Sequence, residues 1–144
     1  QLRLRSAFTL AGLRYDDFVV SIPWQPKLAF YGLMQHADAY LDTIGFSGFN
    51  TAMQAVECSL PIVTREGKFM RGRLASGILK RMGLPELVAS TDEAYVALVA
   101  RLAKDPEYRK RTKERIRQSR TVLFNDLAPI RALEDLLTTV TDRQ

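Results

Sequence analysis

The sequence predicts an α/β fold, a doubly wound, Rossmann-like parallel sheet. Short apolar runs rich in β-branched residues alternate along the chain with longer segments that carry apolar residues at helical spacing. Glycine, proline, serine or threonine stands at most boundaries between them. Parallel strands must be joined by crossover helices, so this alternation favours βαβ units over antiparallel hairpins.

The first predicted helix opens the chain. Leu2, Ala7 and Leu10 have helical spacing, and Gly12 suits the position that follows a helix C-terminus. The run "FVVSI" (18–22) then predicts a buried first strand. Because the chain opens inside a helix without an initiator methionine, we expect it to be a piece of a longer protein.

The middle of the chain repeats the alternation. Pro26 fits a first helical turn, Pro61 fits the first position of a strand, and Gly83 closes a helix. The predicted elements are a helix in 23–37, a strand in 39–43, a helix in 51–59, a strand in 61–64, a helix in 70–83 and a brief fourth strand in 85–89.

The C-terminal part is predicted to be helical. Ser90 or Thr91 caps a helix that runs to 105, Pro106 starts a basic helix, and an amphipathic helix with Pro129 early in it follows over 126–140. We expect one Rossmann-like domain over 1–144, with an α/β core in 13–104 and C-terminal helices in 105–144.

Composition narrows the class of protein. With 144 residues, 47% hydrophobic and 26% charged, the chain has the make-up of a globular domain. No apolar run approaches the roughly 18 residues that would cross a bilayer, so no membrane partner is expected. The single Cys58 cannot form an internal disulfide and suits a reducing compartment, which predicts the cytoplasm. One histidine and one cysteine cannot build a zinc site, and no metal is expected.

The basic excess is confined to one segment. Residues 101–120 hold nine basic and three acidic residues, a balance of +6, whereas the whole chain has a net charge of +5. On a helix such a run predicts a solvated surface. Nucleic-acid binding through the same charges is the alternative, because basic side chains neutralise phosphates.

Two loops lie where parallel sheets bind ligands, outside the carboxyl ends of the strands: 23–27 and 43–50. In the second, Gly45 and Gly48 would let the backbone approach a ligand, and the first amides of the next helix, at Asn50 and Thr51, would favour a phosphate. A capping box made by Thr51 and Gln54 explains the same residues without a ligand. Both interpretations stay open at this point.

A longer pattern resembles a known family. "HADAYLDTIGFSGFNTAMQAVECSLPIVT" followed by "GRLASGILKRMGLPELVASTDEAYVALVARLAKDPEYRKR" is similar to the C-terminal, donor-binding half of the O-GlcNAc transferase-like glycosyltransferases. These enzymes have the two-domain GT-B fold and often follow tetratricopeptide repeats. The similarity runs from about Phe18 to Phe124 and rests on the combination and order of its motifs.

The resemblance implies roles for individual residues. Lys27 matches a lysine that meets the donor nucleotide, Gln25 a position whose backbone reads the base, and Phe30 a histidine that lies against uracil. Arg73 matches a family arginine. In the second loop Gly48 and Thr51 are kept. The remaining positions carried over there are Ser47, Phe49 in place of a histidine, Asn50 in place of a threonine, and Gln54 in place of the aspartate that holds the ribose.

The resemblance implies transfer of a sugar from a UDP-linked nucleotide-sugar donor to a protein or other acceptor. No cofactor besides the donor and no catalytic base is identified in this chain. The acceptor side would belong to a missing N-terminal half, so the piece alone is expected to bind without turnover. A catalytically inactive scaffold is the alternative. Of the other polar residues, His36 and Asp38 are expected to be structural. Arg71 and Arg73 follow the third predicted strand and could reach a diphosphate, with solvated surface positions as the alternative.

Overall fold

The computed structural model describes residues 2–141, and its backbone contacts divide the chain into two compact units, 1–30 and 31–144. The helices are α1 (Leu2–Leu10), α2 (Lys27–His36), α3 (Asn50–Glu57), α4 (Leu74–Arg81), α5 (Asp92–Lys104), α6 (Pro106–Ser119) and α7 (Ala128–Thr141). The strands are β1 (Tyr40–Leu41), β2 (Ile62–Arg65) and β3 (Val88–Ala89).

The first unit consists of α1, a short 3-10 turn at Tyr15–Asp17, an extended segment and the first turn of α2. The guanidinium of Arg5 pairs with both carboxyl oxygens of Asp16, at 2.9 and 3.2 Å. The ring of Phe8 meets the edge of the buried Tyr15 ring at a centroid distance of 5.6 Å. These contacts fold α1 back onto the 3-10 turn.

The strand predicted over 18–22 is wrong. Within the described residues this segment pairs with no strand, and Val20 is 83% exposed. The amides of Phe18 and Val19 donate instead to the carbonyl of Tyr15, which continues the preceding turn. A β-branched run indicates a preference for extended backbone, but a strand also needs a neighbouring strand with which to pair.

The second unit contains a three-stranded parallel sheet in the order β1-β2-β3. Tyr40 is in register with Ile62, and Thr64 with Val88. The central strand β2 is buried from Ile62 to Thr64 and is contacted by α3, α4 and α5. The predicted second, third and fourth strands are thus present, and the α/β class with a parallel sheet is confirmed.

Helix ends follow the predicted signals. Gly12 and Gly83 adopt positive φ angles of 71° and 72°, and the residues after them donate to Phe8 and Leu79, which closes α1 and α4 in Schellman motifs. The hydroxyl of Thr91 caps α5 by accepting from the amide of Ala94 at 3.1 Å. Among residues 2–141, no helix combines the length and the apolar character needed to cross a membrane.

Candidate functional site

The loop between β1 and α3 is organised by Asp42, the residue that follows β1. The residue is only 3% exposed. One carboxyl oxygen accepts the amide of Gly48 at 2.8 Å, and the other accepts the hydroxyls of Ser47 and Thr64, each at 2.7 Å. The loop therefore turns around a buried carboxyl group at the carboxyl edge of the sheet.

Ser47 connects this loop to the start of α4. Its hydroxyl donates to Asp42 and accepts the amide of Ala75 at 2.8 Å, while its own amide donates to the carbonyl of Arg71 at 2.7 Å. The residue is buried, with 1% of its surface exposed. What the structure shows for Ser47 is a positioning role, and its predicted contact with a ligand stays a prediction.

The two loop glycines have explanations inside the protein. Gly45 has a φ of 89°, a conformation that favours glycine. A Cβ atom on Gly48 would lie 2.6 Å from the hydroxyl oxygen of Tyr40. The missing side chain at Gly48 thus makes room for Tyr40, where the sequence suggested close approach to a ligand.

The N-terminus of α3 carries no side-chain cap. The helix begins at Asn50, after Phe49, whose backbone is already in the helical region. Thr51 therefore lies inside the helix, so the capping box predicted for Thr51 and Gln54 is wrong. Within the described residues, Met53 donates to Phe49, but no acceptor is recorded for the amides of Asn50, Thr51 and Ala52. Three backbone donors thus stand open at the end of the sheet where parallel folds bind ligands.

The cations near the start of α4 differ in their partners. Arg73 donates from Nε to Glu66 at 2.7 Å, and Lys80 pairs with the second oxygen of the same carboxylate. The hydrogen bonds from Lys80 and then Arg73 lower the pKa of Glu66. In the described part of the chain Arg71 has no carboxylate partner and lies over the Phe69 ring at 4.8 Å. Arg71 is therefore the less engaged of the two arginines that the sequence singled out.

The remaining predicted nucleotide contacts lie elsewhere in the chain. Gln25 is in the extended segment and donates to the carbonyl of Pro23 at 3.1 Å. Lys27 is the first residue of α2, and the half-buried Phe30 follows one turn later. Gln54 lies in α3, beside the hydroxyl of Tyr31. The junction of loop and α3 thus brings together Ser47, Gly48, Phe49, Asn50 and Thr51.

The residues expected to be structural have structural partners. His36 bonds through Nδ1 to the carbonyl of Gly32 at 2.8 Å in the last turn of α2. Asp38 pairs with Arg109 at 3.0 Å. Sequence reasoning missed the organising role of Asp42, although its place directly after a strand and before a Gly-Ser loop was a usable signal.

Many of the basic side chains of 101–120 have partners within the chain. Arg101 stacks on the ring of Tyr108 at 3.8 Å, and Arg117 pairs with Glu114 at 2.8 Å. Further contacts to carboxylates or backbone carbonyls are made by Arg109, Lys113, Arg115 and Arg120. The segment is therefore a helical surface whose charges are largely used within the chain.

Comparison with known proteins gives a consistent result. The family model of glycosyl transferase family 41 matches residues 6–129. A UDP-N-acetylglucosamine–peptide N-acetylglucosaminyltransferase of Caenorhabditis elegans is 33% identical over 105 residues, which is 72% of this chain and 9% of that protein. A UDP-glucose:protein N-beta-glucosyltransferase of Actinobacillus pleuropneumoniae is 28% identical over 94 residues, 65% of this chain and 15% of that protein.

A solved structure agrees with these relatives. A mutant O-GlcNAc transferase from Thermobaculum terrenum superposes with a TM-score of 0.80 at 32% identity and covers 94% of this chain. This chain spans 26% of that structure and 9% of the C. elegans relative. The resemblance to O-GlcNAc transferase-like enzymes and the fold expected from it are confirmed.

Proposed function

Because this chain belongs to glycosyl transferase family 41, we propose that it is the nucleotide-sugar-binding part of a glycosyltransferase. The donor is a nucleoside-diphosphate sugar, UDP-linked as in the names of the relatives, and the acceptor is a protein. The observation that carries the proposal is the group of three open amides, at Asn50, Thr51 and Ala52, at the carboxyl edge of the parallel sheet.

Open amides at a helix N-terminus suit a diphosphate for a physical reason. They are hydrogen-bond donors without intrahelical partners, and the helix dipole places partial positive charge at the same end. The half-buried position of Thr51 and the nearby Asp42 network keep the donors fixed, so little ordering is needed when an anion binds. Arg71 adds a guanidinium on the neighbouring loop.

In the proposed reaction the acceptor nucleophile attacks the anomeric carbon, and the bond from that carbon to the diphosphate breaks. Negative charge grows on the departing diphosphate as this happens. The amides of α3 would stabilise that charge and so lower the barrier to sugar transfer. No metal or other cofactor is proposed. The nucleophile gives up its proton to a general base, which is assigned to no residue of this chain.

The nucleoside end of the donor is assigned to Gln25, Lys27 and Phe30 by family resemblance. The Phe30 ring would stack on the base where the family has a histidine. The acceptor half of the enzyme, and tetratricopeptide repeats, would lie outside these residues, since the solved relative is about four times longer, with this chain spanning 26% of it. Cytoplasm remains the proposed compartment.

The test is a calorimetric titration of the chain with uridine, guanosine and adenosine diphosphates. Binding of uridine diphosphate, with weaker binding of the other two, is the expected result. A folded protein that binds none of the three would refute donor binding and favour the inactive-scaffold alternative. Preference for another base would retain the diphosphate site and change the proposed donor.

A further inference from the structure

The buried carboxyl group of Asp42 lies beside the proposed diphosphate site without being open to a ligand. We propose that Asp42 is a positioning residue that sets the geometry of the α3 amides for a diphosphate. This inference rests on the proposed function and adds to it the residue that keeps the α3 amides in place.

Asp42 is itself held by the sheet. Its amide donates to the carbonyl of Val63 at 2.9 Å, which extends the pairing of β1 with β2. Its carbonyl accepts the hydroxyl of Tyr95 at 3.0 Å, and its side chain accepts the hydroxyl of Thr64, a residue of β2. Backbone and side chain are both anchored, so the carboxyl group has a fixed place at the sheet edge.

The carboxyl group in turn fixes the loop. It takes the amide of Gly48 at 2.8 Å and the hydroxyl of Ser47 at 2.7 Å, and Ser47 continues the connection to the amide of Ala75 in α4. Gly48 stands two residues before the first residue of α3. A shift of Gly48 would therefore move the start of the helix and redirect the amides of Asn50 and Thr51.

Asp42 also uses up one donor and leaves the next ones open. With the Gly48 amide engaged, the chain turns into the helix with no side chain over the amides of Asn50, Thr51 and Ala52 among the described residues. A side-chain cap at this end would satisfy a helix amide and compete with an anion. Engaging the loop amide from the sheet side stabilises the turn and avoids that competition.

The charge of Asp42 makes its positioning role testable, because charge alone and positioning predict opposite changes in diphosphate affinity. Its negative charge is felt locally, since it contributes, after burial, to raising the pKa of Tyr40 and Tyr95. A carboxylate near an anion site repels the anion. If Asp42 had no positioning role, its removal would leave diphosphate binding unchanged or make it tighter. If it positions the amides, removal weakens binding despite the lost repulsion.

The experiment compares Asp42→Ala and Asp42→Asn with Thr112→Val as the matched control. Thr112→Val removes a buried hydroxyl with little change in volume, but in α6, where that hydroxyl donates to the carbonyl of Tyr108 at 2.8 Å. Uridine diphosphate and uridine are the probes, read by ligand-observed NMR, at a temperature where each variant is folded by circular dichroism. The ratio of the two affinities separates the diphosphate contact from general loss of structure.

We expect Asp42→Ala to weaken uridine diphosphate by about tenfold or more, given that a misplacement of order 1 Å costs up to about 10²-fold. Uridine affinity should change by less than about twofold, as should both affinities in Thr112→Val. Asp42→Asn should fall between, because its amide oxygen can still accept the Gly48 amide. If Asp42→Ala does not fold, Asp42→Asn and Ser47→Ala, which removes one of the loop's two contacts with the carboxyl group, decide the question.

Equal or tighter binding of uridine diphosphate by the folded variants would overturn the inference. So would a parallel loss of uridine and uridine diphosphate affinity, which indicates a merely structural role. If the unaltered chain binds no uridine diphosphate, the donor-binding proposal fails by itself. Amide hydrogen exchange of the unliganded protein then decides the positioning role. Exchange at Gly48 must accelerate in Asp42→Ala, and to a smaller extent in Asp42→Asn, whose neutral oxygen is the weaker acceptor; unchanged exchange in both variants refutes it.

Discussion

At the scale of single residues, the loop that leads into α3 is held by buried polar side chains and by close packing around glycine. Asp42, Ser47 and Thr64 satisfy one another, so each buried polar atom in the group has a partner. Gly48 fits beneath Tyr40 only because it lacks a side chain. Changes of one atom at these positions should therefore have measurable effects on stability.

The first prediction concerns Gly48. Gly48→Ala places a Cβ atom 2.6 Å from the Tyr40 hydroxyl oxygen, so we expect destabilisation, of about 1–3 kcal/mol as for other overpacked sites. The double variant Gly48→Ala/Tyr40→Phe removes the opposing oxygen and should recover most of the loss. Chemical denaturation of the single and double variants measures the loss of stability and its recovery.

Gly77→Ala is the control for that experiment. Gly77 lies in α4 with nothing within 4 Å of an added Cβ atom. Alanine is the better helix former there, and we expect a gain of roughly 0.5–1 kcal/mol. A Gly48→Ala protein as stable as Gly77→Ala would show that Tyr40 moves freely and that the packing argument is wrong.

The second prediction concerns pH. Lys80 and Arg73 lower the pKa of Glu66 below its ordinary value of 4.5. A carboxyl group with a lowered folded pKa adds stability above the unfolded pKa, and that stability is lost as the pH falls through the folded pKa. The melting temperature of the unaltered chain should exceed that of Glu66→Gln near neutral pH, and the gap should close as pH drops below 4.5.

Thermal melts over about pH 3 to 7 measure this gap. Glu134→Gln is the matched control, since Glu134 lies exposed on α7 and no ion pair is recorded for it within residues 2–141. Its melting temperature should follow that of the unaltered chain at every pH. A gap for Glu66→Gln that stays constant down to the lowest pH would contradict the assignment to Lys80 and Arg73.

At the scale of elements, signals carried by a residue and its immediate neighbours predicted the helix ends well. Gly12, Gly83 and Thr91 act as the sequence suggested, because a C-terminal glycine or an N-terminal threonine needs only its own helix. The segment 18–22 and the Thr51 capping box failed for the opposite reason. A strand needs a partner elsewhere in the chain, and a cap depends on where the helix starts, which Phe49 shifts by its helical backbone.

The third prediction compares two threonines at helix starts. Thr91→Ala removes the hydroxyl that accepts the Ala94 amide and should cost about 1 kcal/mol. Thr51→Ala removes a hydroxyl that caps nothing, and its free energy of unfolding should change by less than about 0.5 kcal/mol. Urea denaturation of both variants tests the difference. Equal losses would restore the capping box that the sequence suggested.

The fourth prediction concerns the basic segment 101–120. Its charges are largely engaged within the chain, so affinity for duplex or single-stranded DNA should stay in the non-specific range of about 10⁻⁴ to 10⁻⁶ M at physiological salt. A gel-shift series with unrelated sequences measures this. Replacing Lys110 and Arg111 by Gln is the control for surface charge, since neither side chain has a recorded ion pair among the described residues. Tight, sequence-dependent binding would make nucleic acid the main ligand.

At the scale of the whole molecule, the two units differ in how their backbone is held. The second unit has a buried central strand, contacted by three helices. The first has one helix folded on a 3-10 turn and an extended segment without strand pairing in the described residues. The sequence pattern predicted the α/β class because the alternation spans the second unit. It could not predict Asp42 as the organiser of the loop, since its partners at Ser47, Gly48 and Thr64 meet only after the sheet forms.

The fifth prediction follows from that difference and is read by amide hydrogen exchange. The amides of Tyr40 and Asp42 donate to Pro61 and Val63 across the parallel pair β1–β2, so they should exchange only when the second unit unfolds. The amides of Val20 and Trp24 have no recorded acceptor among residues 2–141 and should exchange at nearly the rate of an unfolded peptide. Leu13, whose amide closes α1 by donating to Phe8 at 2.9 Å, is the internal control, and its exchange rate should be intermediate.

Added denaturant should accelerate amide exchange strongly at Tyr40 and Asp42 and little at Val20, because only exchange at the first pair requires exposure of the core. Strong protection at Val20 and Trp24 would show that the extended segment is paired in solution, and would restore the first strand that the sequence predicted.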